Sequence, residues 1–299
     1  MKILVFGSKG FIGQHVFRHF CGNVLHDVYG SDVVVDYPSK NYFQIDAANS
    51  DYQELFQQAP FDVCINCSGA ASVPDSLVHP QRDFLLNTAN VYKMLDAIRK
   101  YAPLCRFLNL SSAAVYGNPY KLPIQEDDKC KPVSPYGFHK LQAEQICQEF
   151  HLFFGLPTCS IRIFSAFGPG LKKQLFWDWA QRIKLSGNIA LYGTGEESRD
   201  FIYIDDLLQA ISCVVTGGDF SGETINVANG TEIFIKDAIG VFQKNSLTPF
   251  EYSFNGETRS GDPINWRADI SRLSALGYVQ QTSFEEGIKN YIRWLREEG

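Results

Sequence analysis

Met1-Lys2-Ile3-Leu4-Val5-Phe6 runs straight into Gly7-Ser8-Lys9-Gly10-Phe11-Ile12-Gly13, after which the apolar positions fall at helical spacing as far as Cys21. A short continuous apolar run stopped by glycine reads as a strand buried on both faces, as in a parallel sheet. The glycines stand G-x-x-G-x-x-G between that strand and a helix. Small residues there let the backbone turn tightly and approach a pyrophosphate. The helix N-terminus adds unpaired N–H groups and a partial positive charge. Gly7, Lys9, Gly10, Phe11, Ile12 and Gly13 are therefore expected to hold the phosphates of a dinucleotide.

The alternation continues outward from this stretch. Strands are expected at Lys2–Phe6, Asp27–Ser31, Asp62–Asn66, Arg106–Leu110 and Thr158–Phe164, with helices at Phe11–Cys21, Asp51–Gln58, Gln81–Lys100 and Pro135–Phe153. Repeated βαβ units predict a doubly wound parallel α/β sheet of Rossmann type. Ser134 followed by Pro135 is a strong helix start, a hydroxyl cap and then proline at the first helical position. Beyond Phe164 the strands shorten and Gly and Pro become frequent. The expected division is a dinucleotide-binding domain at 1–164 and a smaller α+β substrate domain at 165–299, with some segments returning to the first.

Composition narrows the function classes. Of 299 residues, 45% are hydrophobic and 20% charged, so a core can form without metal or disulfide staples. The formal net charge of −6, without basic clusters, argues against nucleic acid. No stretch approaches the ~18–20 apolar residues of a membrane span. Gly7 and Gly10 break the opening apolar run too early for a signal peptide, so a cytoplasmic protein with no membrane association is expected. The eight cysteines lack the spacing of a secreted framework. Cys64 and Cys67 form a C-x-x-C, but they lie in an apolar run without a second pair, and read as buried strand cysteines. His15 and His19 share a helix face, and His139 adjoins Lys140 but points off its face. None of the histidines calls for a metal, and none is expected.

Two constellations carry chemistry. Asp32 closes the second strand 19 residues after Gly13, where a carboxylate accepts hydrogen bonds from a ribose 2′-OH and repels a 2′-phosphate. This favours NAD over NADP, with Asp36 as a competing position. Tyr136 and Lys140 stand four apart on a predicted helix and share a face. A phenol is a poor base near neutrality, and a nearby ammonium together with a positive nicotinamide is expected to lower its pKa. Lys140 can also donate to the nicotinamide ribose. Ser112, 24 residues before Tyr136, can bridge the substrate oxygen and the phenol.

The set Gly7…Ser112…Tyr136-x-x-x-Lys140 resembles the extended branch of the short-chain dehydrogenase/reductases. Ser111-Ser112-Ala113-Ala114-Val115-Tyr116-Gly117, Ser134-Pro135-Tyr136-Gly137 and Gly193-Thr194-Gly195 leading to Arg199-Asp200-Phe201-Ile202-Tyr203 are similar to blocks of nucleotide-sugar epimerases and dehydratases. The resemblance implies further cofactor contacts at Asp46, Ala47, Cys67, Ser68, Gly69 and Asn87. It also implies that a nucleotide-diphosphate sugar is held by Ser72, Ala113 and Ser165. Arg199 and Arg259 would take the diphosphate, Tyr192 the base, Asp262 its ribose, and Trp266 would limit the sugar pocket to an unsubstituted or deoxy sugar. A homodimer through the helices near Gln81–Lys100 and Pro135–Phe153 follows from the same likeness.

Dehydratases of the family add an Asp-Glu pair after the Ser/Thr, and related decarboxylases and GDP-mannose dehydratases keep a Glu there. Here Ala113 and Ala114 cannot transfer protons. What remains is a 4-epimerase or a 4-ketosugar reductase using NAD(P)H, with a non-catalytic dinucleotide sensor as a third class. The alanine pair and Asp32 favour the epimerase. Ser165, where many members carry Asn, is a departure that bears on substrate placement.

Overall fold

The computed structural model describes residues 1–36, 41–46, 51–246, 248–257, 261 and 263–297. Ala47, Arg259 and Asp262 lie outside the described residues. The first half is β1 (Lys2–Phe6), α1 (Phe11–Cys21), β2 (Asp27–Asp32), β3 (Tyr42–Gln44), α2 (Gln53–Gln58), β4 (Val63–Asn66), α3 (Val73–Val78), α4 (Pro80–Phe84), α5 (Asn90–Tyr101), β5 (Arg106–Ser112), α6 (Pro135–Phe154) and β6 (Thr158–Ile163). The rest is β7 (Ser165–Phe167), α7 (Gln174–Leu185), β8 (Asn188–Leu191), β9 (Ser198–Arg199), β10 (Phe201–Tyr203), α8 (Ile204–Gly217), β11 (Ser221–Val227), β12 (Ile233–Phe234), α9 (Ile235–Asn245), β13 (Glu251–Phe254), α10 (Ser271–Ala275) and α11 (Phe284–Glu297).

The central sheet has seven strands in the order β11-β6-β5-β4-β1-β2-β3, and each pairing is parallel. The order reverses at β1, which lies between β2 and β4. A ligand crevice opens at such a switch point, outside the carboxyl ends of the strands. β4 and β6 are buried along their whole length, as strands of a parallel sheet covered by helices on both faces are. One core cluster, with Val5, Ile65, Ile161 and Ile211, lies on the α1 and α8 side; the other, with Phe6, Leu95, Phe107 and Phe150, lies under α2, α5 and α6.

The structure departs from the sequence expectations in three places. β5 runs to Ser112 rather than stopping at Leu110, which puts the serine on the strand's last position. The helix expected over Gln81–Lys100 is interrupted by a π turn at Leu85–Ala89, a local widening that often marks functional positions. α3 and β3 were not expected, whereas β7–β10, β12 and β13 are the short strands expected beyond Phe164, there without bounds. In keeping with the expectation that some segments beyond 164 return to the first half, β11 pairs with β6 from Ser221↔Thr158 to Val227↔Ile163. The small two-stranded sheets β10-β7, β12-β9 and β13-β8 lie beyond Phe164.

Candidate active site

The glycine turn sits at the switch point. Gly7 follows β1 with φ +71°, and a Cβ on Gly13 would lie 2.0 Å from the Gly7 carbonyl oxygen. The contact explains the third glycine: α1 approaches the turn too closely for any side chain. Gly10 precedes α1 with no side-chain cap, so the first-turn N–H groups of Phe11 and Ile12 have no capping acceptor. Asp32 closes β2 and accepts from the Lys9 N–H at 2.8 Å and the Val33 N–H at 2.7 Å. Asp36 meets the Lys9 ammonium in an ion pair, and that ammonium lies 5.0 Å from the Tyr42 ring centroid. Both candidate carboxylates therefore converge on Lys9, Asp32 on its backbone N–H and Asp36 on its ammonium. Asp46 is exposed just after β3.

Across the crevice, Cys67, Ser68 and Gly69 follow β4. A polar ladder that sequence reasoning missed lies beneath them. The Ser68 hydroxyl donates to Asn66 at 2.6 Å, Asn66 donates to Asn109 at 3.2 Å, and Asn109 donates to Ser160 at 3.5 Å. Cys64 is fully buried in β4, and burial pushes both its thiol and that of Cys67 far up, so neither is a reactive thiolate. Asn87 stands inside the π turn, 2% exposed, with neither amide atom partnered. An orphaned buried amide is costly unless a ligand completes it. Together with the uncapped helix start, it fits a bound dinucleotide.

The serine, tyrosine and lysine come together on β5 and α6. Ser134 caps α6 by accepting from the Gly137 N–H at 3.2 Å, and the Tyr136 N–H donates to Ser76 of α3 at 3.2 Å. Lys140 is 6% exposed, donates to the Leu110 carbonyl at 2.9 Å, and places its nitrogen 6.0 Å from the Tyr136 ring centroid. The Ser112 hydroxyl hydrogen-bonds Tyr136 and accepts from the Ala114 N–H at 3.2 Å.

The electrostatics correct one expectation. Burial raises the Tyr136 phenol to about 12, against the Ser112 hydrogen bond that lowers it and with Asp83 adding to the rise. The expected lowering by Lys140 does not occur in the protein alone. The ammonium is aimed at the Leu110 carbonyl, and its own pKa is brought down to about 8 by burial. Desolvation sets the direction at both groups.

A cavity of about 430 Å³ opens beside the phenol. Ser72, Ser112, Tyr136, Ser165, Arg199 and Trp266 all line it. Ser72 also caps α3, accepting from the Asp75 N–H at 3.2 Å. Ala113 is fully buried, and Ala114 presents its surface to the cavity instead. Tyr192 is half-exposed at the end of β8 and is not among the lining residues. The Arg199 guanidinium donates to the Ser198 and Ile264 carbonyls at 2.8 and 3.2 Å and stacks 5.7 Å from the Trp266 ring. The indole of Trp266 donates to the Gly117 carbonyl at 3.0 Å. Lys173 and Gln174, at the start of α7, also line the cavity. No motif in the sequence marks them.

Behind the site lies a second feature without a sequence motif. Glu144, one turn past Lys140, pairs with Arg162 of β6 through contacts of 2.7 and 3.1 Å and accepts from the Ser111 hydroxyl. Arg162 also donates to Tyr116 and to the Glu126 carbonyl, each at 2.8 Å, and Tyr116 donates to Asn226 of β11 at 2.7 Å. Burial works against the guanidinium charge, but the Glu144 carboxylate overrides it. Asp200 is buried, and its pKa is raised to about 7 although the Asn229 and Ala268 N–H groups donate to it at 3.0 Å. It fastens the segment carrying Trp266 to β10. His15 bonds the Pro169 carbonyl and His19 bonds Ser212. Among the described residues, no cluster of metal-ligating side chains and no helix long and apolar enough to cross a membrane occurs.

A model of the NAD dependent epimerase/dehydratase family matches residues 3–228. An uncharacterized UDP-glucose epimerase of Bacillus subtilis (strain 168), YtcB, is 27% identical over 316 residues, covering 99% of this chain and 98% of that protein. The dTDP-glucose 4,6-dehydratase 1 of Escherichia coli (strain K12) is 26% identical over 335 residues, covering 98% and 92%. The crystal structure of UDP-glucuronic acid 4-epimerase from Bacillus cereus, in complex with UDP-glucuronic acid and NAD, is similar with a TM-score of 0.91 at 26% identity over 100% of both chains. With a model of that family matching well over half of its length, this chain belongs to the NAD-dependent epimerase/dehydratase family.

Proposed function

We propose that this protein is a C4 epimerase of a nucleoside-diphosphate sugar. The observation that carries the reading is what the cavity holds beside the phenol. Ala113 and Ala114 follow Ser112, and the one carboxylate among the described lining residues, Asp178, faces Arg182 at 3.5 Å. A dehydratase must move protons at carbon as well as at oxygen, and among the described lining residues no carboxylate follows Ser112 to do so. The site suits a reaction in which only a hydroxyl proton and a carbon-bound hydride change places.

When bound, NAD supplies the hydride acceptor and donor. Tyr136 takes the C4 hydroxyl proton at its phenolic oxygen and later returns it. Ser112 holds the same substrate oxygen, and Lys140 donates to the nicotinamide ribose. Asp32 receives the adenosine ribose, and Asn87 completes its amide on the cofactor. Arg199 takes diphosphate oxygens, with Arg259, Tyr192 and Asp262 expected to hold the rest of the nucleotide. The walls around the sugar are largely aromatic (Phe164, Phe167, Phe176, Phe201, Trp266). Such faces hold a 4-keto sugar, planar at C4, without fixing it by hydrogen bonds, so it can turn and present the other face of that carbon. The relatives that act on UDP-sugars support the substrate class. We also propose a homodimer through α4, α5 and α6.

The test is the state of the cofactor. Protein purified without added nucleotide is expected to retain NAD through dialysis and to interconvert 4-epimers without net redox change. Turnover that consumes NADPH one-for-one with a 4-keto sugar overturns the epimerase and makes the protein a reductase.

A further inference from the structure

Lys140 is a buried cation whose hydrogen bond goes to a neutral carbonyl, that of Leu110, and not to a counter-charge. A buried charge is costly unless an opposite charge lies close. Four titratable groups from the surrounding elements act on it: Asp83 of α4, Cys67 after β4, and Glu144 and Cys147 of its own helix. Both thiols are pushed far up by burial and carry no charge near neutrality. The Glu144 carboxylate is engaged by Arg162 through both oxygens. That leaves Asp83.

Asp83 has a fully buried side chain. Its Oδ1 meets Nδ1 of His139 at 2.6 Å, and its Oδ2 is buried with no partner. The imidazole is held in turn: it packs edge-on against Phe84 at 5.5 Å, and its residue's backbone carbonyl accepts from Thr88 at 3.0 Å. A ring nitrogen held against one oxygen orients a carboxylate and leaves its other oxygen to face the interior. His139 directly precedes Lys140, so the tie between α4 and α6 is made one residue away from it along the helix.

We propose that Asp83, oriented by His139, is a positioning residue that supplies the counter-charge keeping Lys140 an ammonium at the cofactor face of α6. The inference rests on the reading of Lys140 given under Proposed function, and it assigns the Asp83–His139 pair a task beyond joining two helices. Consistent with it, Asp83 is the strongest influence opposing the loss of charge that burial imposes on Lys140.

The experiment follows the titration of Lys140 by NMR in the full chain carrying 13Cε-lysine, the signal being assigned by its loss in Lys140→Arg. Asp83→Asn is expected to lower the midpoint by about one unit, and to weaken NAD binding about tenfold above the new midpoint. Asp83→Glu, which keeps the charge, is expected to restore most of both. Should Asp83→Asn fail to fold, His139→Lys sets a permanent cation against the same carboxylate and shifts Lys140 in the same direction. A midpoint unmoved in a folded Asp83→Asn or in His139→Lys overturns the proposal. The titration needs no substrate. A shifted midpoint without turnover on any nucleotide sugar keeps this inference and removes the epimerase; turnover with an unmoved midpoint does the reverse.

Discussion

At Tyr136 and Lys140 burial acts in opposite senses on the two charges the chemistry needs. The phenol is held near 12 and the ammonium near 8, so a phenolate is available only once a further positive charge arrives. Nicotinamide brings it, which links proton transfer to cofactor occupancy. Tyr136→Phe is expected to cut turnover by ~10²–10⁴ and leave the NAD dissociation constant nearly unchanged in a calorimetric titration; an unimpaired variant refutes the assigned role. Lys140 gives a signed pH dependence. Its folded pKa lies below the ordinary 10.5, so the strained charged form persists below about 8. As pH rises from about 8 toward 10.5, the folded protein sheds that proton before the unfolded chain does, and stability increases. NAD affinity moves the other way, weakening above about 8 as the donor to the ribose loses its charge. Lys140→Arg is expected to flatten the latter trend.

Elements, rather than residues, decide how firmly the site is held. α1 presses on the turn at Gly13, where a methyl group would overlap the Gly7 carbonyl. Gly13→Ala is expected to cost about 1–3 kcal/mol in urea unfolding, as overpacking does, and to abolish NAD retention. β5, β6 and α6 are clamped by Glu144 and Arg162. Glu144→Ala leaves the guanidinium buried without its partner and is expected to cost about 3–5 kcal/mol by the same measurement. This is also the scale at which the sequence was partly legible. Strand, glycine turn and helix announce themselves because one short window carries all three, and Ser134-Pro135 marks the start of α6 for the same reason. The Arg162–Glu144–Tyr116–Asn226 network leaves no local trace. Its members are polar residues inside apolar runs or a long helix, and only the fold brings them together. The π turn around Asn87 was equally hidden, since helical periodicity tolerates one inserted residue.

For the whole molecule, two surfaces follow from the arrangement of helices and strands. Phe84 on α4, Tyr92 on α5, and Phe138 and Phe153 on α6 are all exposed, on helices that pack against one another. If these faces meet in a two-fold pair, Tyr92→Glu is expected to lower the sedimentation coefficient to that of a monomer; a monomeric parent protein removes the dimer from the proposal. The other surface exists only for a time. β6 is buried along its full length in the finished sheet, yet its outer neighbour β11 begins only at Ser221. A nascent polypeptide emerging from the ribosome at roughly 5–20 residues per second therefore carries an open sheet border for some seconds. During that interval any extended peptide can dock on it. Expression yield should thus depend on chaperone supply, more than equilibrium stability alone would suggest.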